Sequence, residues 1–163
     1  MGQFAVFTVG EEEFGVDIFR VVEILNPMRI FTIPDMPGFL SGVINLRGYV
    51  IPVLDLRKRF NVVSKPDKER IIIVWMSGQK VGLYIDSVKD ILDFEEEEIT
   101  SPPPIFKGFK PEYLVGLGKK DDTVVILLNT DAVLTAQEKL VLKKSRERME
   151  SAVEKKPGKA SKK

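Results

Sequence analysis

Two residue types are missing from the 163-residue chain: it has no cysteine and no histidine. Without cysteine there is no disulfide framework and no thiol nucleophile, which is compatible with a reducing compartment. Without histidine the commonest neutral-pH general base is gone. Together the two absences remove the usual zinc ligands and the Ser-His and Cys-His pairs. An enzyme built on this chain would have to work with carboxylates, lysine, tyrosine or a bound cofactor. No apolar run approaches the roughly 20 residues of a membrane-spanning helix. Met1-Gly2-Gln3-Phe4 carries no basic n-region and no cleavage signal, so the expected location is the cytoplasm.

What is present is an ordinary soluble composition, 44% hydrophobic and 30% charged, enough for one domain or two small ones. A compact chain of this size buries roughly 70% of its unfolded surface, so it holds a core without staples. The charge is uneven. Residues 139–163 hold ten Lys/Arg against three Asp/Glu, and the rest of the chain holds 15 against 21. The body is therefore acidic and the tail basic. From Lys143 the apolar pattern stops, and Lys155–Lys163 carries five lysines with Pro157 and Gly158. Disorder is the expectation for 143–163. Such a tail can make salt-sensitive phosphate contacts, but it has no aromatic residue to stack bases, so no specific nucleic acid is expected.

The body reads as short strands. Val43–Leu46 and Val50–Leu54 flank Arg47-Gly48 as a hairpin with a tight turn, in which Gly48 supplies a positive φ. Pro52 cannot donate to a ladder, which suggests an edge strand or a bulge. Phe4–Val9 and Phe14–Ile18 read as another hairpin, and Arg70–Met76 as a buried strand followed by Val81–Ile85. Leu114–Leu117 and Val124–Leu128 are strands, and Pro102–Pro104 is a stiff extended segment. Asp55 is an N-cap for a short helical turn, and Thr130-Asp131 opens a C-terminal helix.

The two halves repeat. Gly15–Leu25 lies over Gly82–Leu92 at an offset of 67, and Gly42 with Val50–Asp55 lies over Gly116 with Val124–Asn129 at an offset of 74. Each half has about five short strands, too few to cover a flat sheet but enough for a small barrel. The expected fold is all-β: two pseudo-symmetric five-stranded barrels with short helices. The expected layout is one domain over 1–142, with a first barrel over about 10–63 and a second over about 70–129. The strand 3–9 and a helix over 131–142 complete it, and the basic tail 143–163 follows.

Little here points to catalysis. Asp17, Glu23, Asp55 and Asp86 are the possible acids, and none has the spacing of a carboxylate pair or a metal triad. Gly116-Leu117-Gly118-Lys119-Lys120 lacks the third glycine of a phosphate loop, and Gly10–Glu13 lacks calcium-loop spacing. No cofactor, no metal and no enzyme activity are expected. Glu23 and Arg47 stand out as ions within apolar strand patterns, where a charge must be paired or reach water. They read either as a structural ion pair between two hairpins, or as the rim of a groove that receives a partner.

Gly42-Val43-Ile44-Asn45-Leu46-Arg47-Gly48, followed by Val50–Arg57, resembles the signature of the CheW family of chemotaxis coupling proteins. Phe14–Ile18 with Val21–Ile24, and Val81–Asp86 with Val88 and Ile91, resemble its flanking motifs. The likeness spans about Phe4 to Leu142. It implies two SH3-like barrels and a non-catalytic adaptor, monomeric when free. That adaptor would link the cytoplasmic tip of methyl-accepting chemotaxis receptors to the regulatory domain of the histidine kinase CheA, without inserting into the membrane. It implies partner binding, mostly of receptor, at Val21, Glu23, Ile30, Gly42, Arg47, Gly48, Ile71 and Ile91, and leaves the kinase-binding residues unassigned. The alternatives are a scaffold of another sensory array, such as pilus or surface motility, and a barrel-type RNA-binding protein using its basic tail.

Overall fold

The computed structural model describes residues 2–65, 67–101, 113–135 and 137–144. Their strands are β1 (Gly2–Val9), β2 (Glu12–Asp17), β3 (Val21–Leu25), β4 (Gly42–Leu46), β5 (Tyr49–Asp55), β6 (Arg70–Met76), β7 (Gln79–Ile85), β8 (Ser87–Phe94), β9 (Ile99–Thr100), β10 (Leu114–Lys120) and β11 (Thr123–Leu128). The helices are α1 (Leu56–Arg59) and α2 (137–144), and 3-10 turns lie at Ile18–Arg20, Glu96–Glu98 and Thr130–Ala132. The expected C-terminal helix is thus a 3-10 turn, capped by the Asn129 side chain, and then α2. Pro102–Pro104, and the tail from residue 145, lie outside the described residues.

The strands form two sheets, ordered β3-β6-β7-β5-β4 and β8-β1-β2-β11-β10-β9. Both must curl, because in each the outermost strands are brought together by the chain that joins them. In the first, the segment after β3 returns to β4. Phe31 N–H donates to Val43 O at 2.7 Å, and Val43 N–H donates to Phe31 O at 2.8 Å. In the second, only Glu95–Glu98 separates β8 from β9. The protein is therefore all-β and two-barrelled, as expected.

Strand periodicity explains how the barrels share a core. Along β6, Ile71 and Ile73 point into the first barrel with Ile44, Ile51 and Val53. Ile72, Val74 and Met76 point the other way, into a cluster between the sheets. Along β1, Phe4 and Val6 face the second barrel's interior with Phe94, Val125 and Leu127, while Ala5, Phe7 and Val9 enter the shared cluster. Strands covered on both faces need apolar residues at consecutive positions, hence the unbroken run Arg70–Met76. Phe7, Phe14 and Phe60 stack in the shared cluster at centroid distances of 6.0 and 5.3 Å. Burying one such side chain is worth about 1.5–3 kcal/mol.

Sheet membership differs from the expected boundaries. The first barrel is Val21–Ile85, so β6 and β7 belong to it and not to the second. The second combines β8–β11 with the N-terminal hairpin β1–β2. The repeat itself is real, and its registers coincide. Glu23 pairs with Ile73 in one barrel and Asp90 with Val6 in the other, and both ladders shift register beside that pair. Val53 pairs in parallel with Gly82, and Leu127 with Gly15. What the repeats exchange is their leading hairpins: β6–β7 completes the first barrel, and β1–β2 completes the second. The crossings are short, Ile18–Arg20 after β2 and Asp86 after β7.

Pro52 is neither at an edge nor in a bulge, since β5 lies between β4 and β7. It stands opposite Val43, whose own N–H and C=O point away to Phe31. The parallel ladder to β7 begins one residue later, at Val53. The missing N–H therefore removes no ladder bond.

Candidate functional site

The hairpin β4–β5 ends in a two-residue turn with positive φ at both positions, 51° at Arg47 and 89° at Gly48. This is the geometry that matches strand twist in tight hairpins. Asn45 Oδ1 accepts the Gly48 N–H at 2.9 Å and fixes the turn. The Arg47 side chain reaches back to β3, where Nη2 lies 2.5 Å from Glu23 Oε1. Because β3 and β4 are the outer strands of their sheet, the pair spans the closure of the first barrel. It is a surface strut rather than a buried ion pair, with side-chain exposures of 67% for Arg47 and 31% for Glu23. The charge sits at a turn tip, where water reaches it, so the pair contributes at most about 1 kcal/mol.

The remaining partner-binding candidates divide by burial. Val21 is half-buried, pairs with Val74 and borders the shared cluster. Ile30 is half-buried against the interior of the first barrel. Ile91, on the outer strand β8, is 54% exposed. Two candidates offer no side-chain surface. Ile71 is 0% exposed inside the first barrel, so a change there acts through packing and not through contact. Gly42 is buried where the chain after β3 crosses it: an added Cβ would lie 2.4 Å from Ile30 Cγ2 and 2.5 Å from Phe31 O. Its role is to let residues 30–31 close the barrel.

Strand alternation adds residues that sequence reasoning missed. Val22 and Ile24 on β3 are exposed beside Glu23, as are Phe31 and Tyr49 near the closure. Ile24 and Ile91 occupy equivalent places, paired with Ile72 and Ala5 on the sides facing the shared cluster. An apolar outer-strand residue in an alternating pattern was the available signal.

Asp55, Asp86 and Asp131 each hold at least one backbone N–H group and an arginine in place. Asp86, fully buried at a crossing, accepts N–H groups from Gly10 and Lys65 at 2.8 Å each and the Ser64 hydroxyl at 2.9 Å. Arg57 lies 3.5 Å away and is itself held by Asp55. Burial works against the Asp86 charge, but the Lys65 and Gly10 N–H groups, Ser64 and Arg57 outweigh it and hold the carboxyl below its ordinary range. At the other crossing, Arg20 grips Asp131 with two bonds of 2.9 and 2.8 Å, and Asp131 also accepts the Ser77 N–H. The short α1 starts on the Asp55 side chain, as expected. Among the described residues no group of three His, Cys, Asp or Glu could hold a metal ion, and no helix is long and apolar enough to cross a membrane.

A paired-barrel body, with a charged strut and half-exposed aliphatics along outer strands, defines an interaction scaffold. The CheW-like domain family model matches residues 3–138. The chain belongs to the CheW family, and with it to the adaptors of chemotaxis. It is similar to the chemotaxis protein CheW of Klebsiella aerogenes, 36% identical over 138 residues, covering 83% of each chain. It is 29% identical to that of Treponema pallidum over 142 residues, covering 83% of this chain and 84% of the relative. The crystal structure of the scaffolding protein TtCheW from Thermoanaerobacter tengcongensis matches at a TM-score of 0.76 and 38% identity, covering 83% of this chain and 88% of that one.

Proposed function

We propose that this chain is a non-catalytic cytoplasmic adaptor that couples the cytoplasmic tips of methyl-accepting chemotaxis receptors to the regulatory domain of the kinase CheA. The observation that carries the receptor side is the exposed Arg47–Glu23 strut. It lies on the same outer strand as Val21, Val22 and Ile24, whose apolar surface is partly open. Receptor apolar side chains bury against Val21, Ile24, Ile30 and Ile91, while Arg47, Glu23 and Gly48 supply the polar rim. The kinase takes another face. Coupling requires contacts that differ between kinase-on and kinase-off receptor states, since equal affinity for both would only tether the partners.

The test is a pull-down of a receptor cytoplasmic fragment and of the kinase regulatory domain, with wild type and Arg47→Ala, each checked by thermal melting. Wild type captures both partners. Arg47→Ala loses the receptor fragment by tenfold or more, keeps the kinase domain and melts within a few degrees of wild type. Failure of the wild type to bind either partner at near-physiological salt overturns the reading.

A further inference from the structure

The tip that carries Arg47 is built against the preference of its own turn. Among the described residues, those other than glycine with a positive φ are Asp35, Arg47, Asn61, Ser77 and Asp121. All but Arg47 have short polar side chains, and Asn and Asp in particular tolerate left-handed backbone. A two-residue turn with positive φ at both central positions favours Asn, Asp or Gly at the first. Arginine there is strained, and such strain persists only where surrounding contacts hold it.

Asn45 makes such a contact. The ladder of this hairpin pairs Leu46 with Tyr49 and leaves the Gly48 N–H outside it. That N–H donates to Asn45 Oδ1 at 2.9 Å, which fixes the peptide between Arg47 and Gly48. Asn45 is exposed, so the bond satisfies no buried group and adds little to stability. The other two-residue tips among the described strands do without it. Thr8, Trp75 and Lys119 stand where Asn45 does, one pair before the last of their ladders, and the Thr8 hydroxyl bonds Ser87 instead. At the β6–β7 tip, Ser77-Gly78 has the same left-handed turn, with φ of 51° and 79°, and is held by Asp131 accepting the Ser77 N–H. Of these tips, the one bearing the arginine clasps its own turn.

We propose that Asn45 is the positioning residue of the recognition surface: it holds the Arg47-Gly48 peptide in the left-handed turn that sends the Arg47 guanidinium across the barrel closure to Glu23. Its consequence for partner binding rests on the receptor reading of Arg47, whereas the clasp itself belongs to the free protein. Its effect on the partner passes through Arg47.

Isotope-labelled full-length protein tests the clasp without a partner. In wild type the Gly48 amide exchanges about tenfold more slowly than in an unstructured peptide, and the Arg47 Nε–H gives the relaxation signature of an ordered side chain. Asn45→Ala returns Gly48 to the unstructured rate and loosens Arg47 Nε as far as Glu23→Gln does, while the melting midpoint stays within a few degrees of wild type. An unprotected Gly48 in wild type, or an Arg47 Nε that Asn45→Ala leaves unchanged, overturns the proposal whether or not any partner binds. In titrations with the receptor cytoplasmic fragment, Asn45→Ala weakens capture about fivefold and leaves capture of the kinase regulatory domain as it was. In Arg47→Ala protein the same change has no further effect. Undiminished capture by Asn45→Ala, or losses that multiply in the double variant, overturn the positioning role. Failure of the wild type to capture the fragment removes the receptor reading alone, and the two measurements on the free protein then decide whether Asn45 positions Arg47.

Discussion

The two barrels share strand order, register and ladder irregularity, yet brace their closures with different charge pairs. The first brings β3 back to β4 through residues 26–41, a strand bridge at Phe31 and the Arg47–Glu23 strut. The second brings β8 to β9 through Glu95–Glu98, pairs Thr100 with Leu117 as Phe31 pairs with Val43, and bonds Lys120 to Glu98 at 2.8 Å. The same geometry thus needs no arginine. What distinguishes the first barrel is the Arg47–Glu23 pair at its rim, since the connections themselves correspond: Phe31 stands opposite Val43 as Thr100 stands opposite Leu117. The barrels match in register and differ at their rims, which is where a partner can tell one from the other.

The largest effect expected from breaking this comparison lies where the barrels meet. Asp86→Ala leaves two N–H groups, a hydroxyl and a nearby guanidinium without their acceptor and should cost about 3–5 kcal/mol in denaturant unfolding. In wild type the folded Asp86 pKa lies below its unfolded value. Its stabilisation is therefore complete above the ordinary carboxylate range and is lost as pH falls through the lowered value. Asp131 and Glu138, also lowered although burial works against their charges, add to the same acid limb through Arg20 and Arg59. Stability measured from pH 6 downward should fall chiefly below pH 4, and Asp86→Ala should flatten that limb.

Gly42→Ala comes next. Its Cβ meets the backbone of Phe31 at 2.5 Å, whereas Gly116→Ala in the second barrel meets Ile99 and Thr100 at 2.9 Å. We expect about 1–3 kcal/mol for Gly42→Ala and less for Gly116→Ala, read as shifts in denaturant midpoint. Arg47→Ala and Glu23→Ala should each cost under about 1 kcal/mol, with a double-mutant coupling smaller still in high salt. Least of all, Asp121→Arg sets a cation at the hairpin tip equivalent to Arg47. A gain of about 0.5 kcal/mol at most would show that the strut is portable between barrels.

Much of this fold can be read from the chain. Two-sided burial is written in Arg70–Met76, and the repeat in the paired glycines and acids. The hairpin exchange is not written there, because β1–β2 and β6–β7 make the same registers whichever barrel they enter. Only the lengths of Ile18–Arg20 and Asp86 separate the two arrangements, and nothing in those residue types announces a crossing. Among the candidate residues, Arg47 meeting Glu23 was legible as a paired-charge problem. Its exposure was not, since an arginine beside apolar strands looks alike at a tip or in a wall. Ile71 fails for the opposite reason: on a strand apolar on both faces, neither face is marked as surface.

The exchange also sets an order of assembly. The first barrel, Val21–Ile85, is contiguous and can complete itself while the chain is still being synthesised. The hairpin β1–β2 is made first, yet its strand partners β8 and β11 come last. Until they arrive, Phe4, Val6, Phe7 and Phe14 have only the first barrel's outer face to lean on. The first strands of this fold to be made are then the last to be locked in place, so the hairpin β1–β2 carries the greatest exposure to misassembly during synthesis.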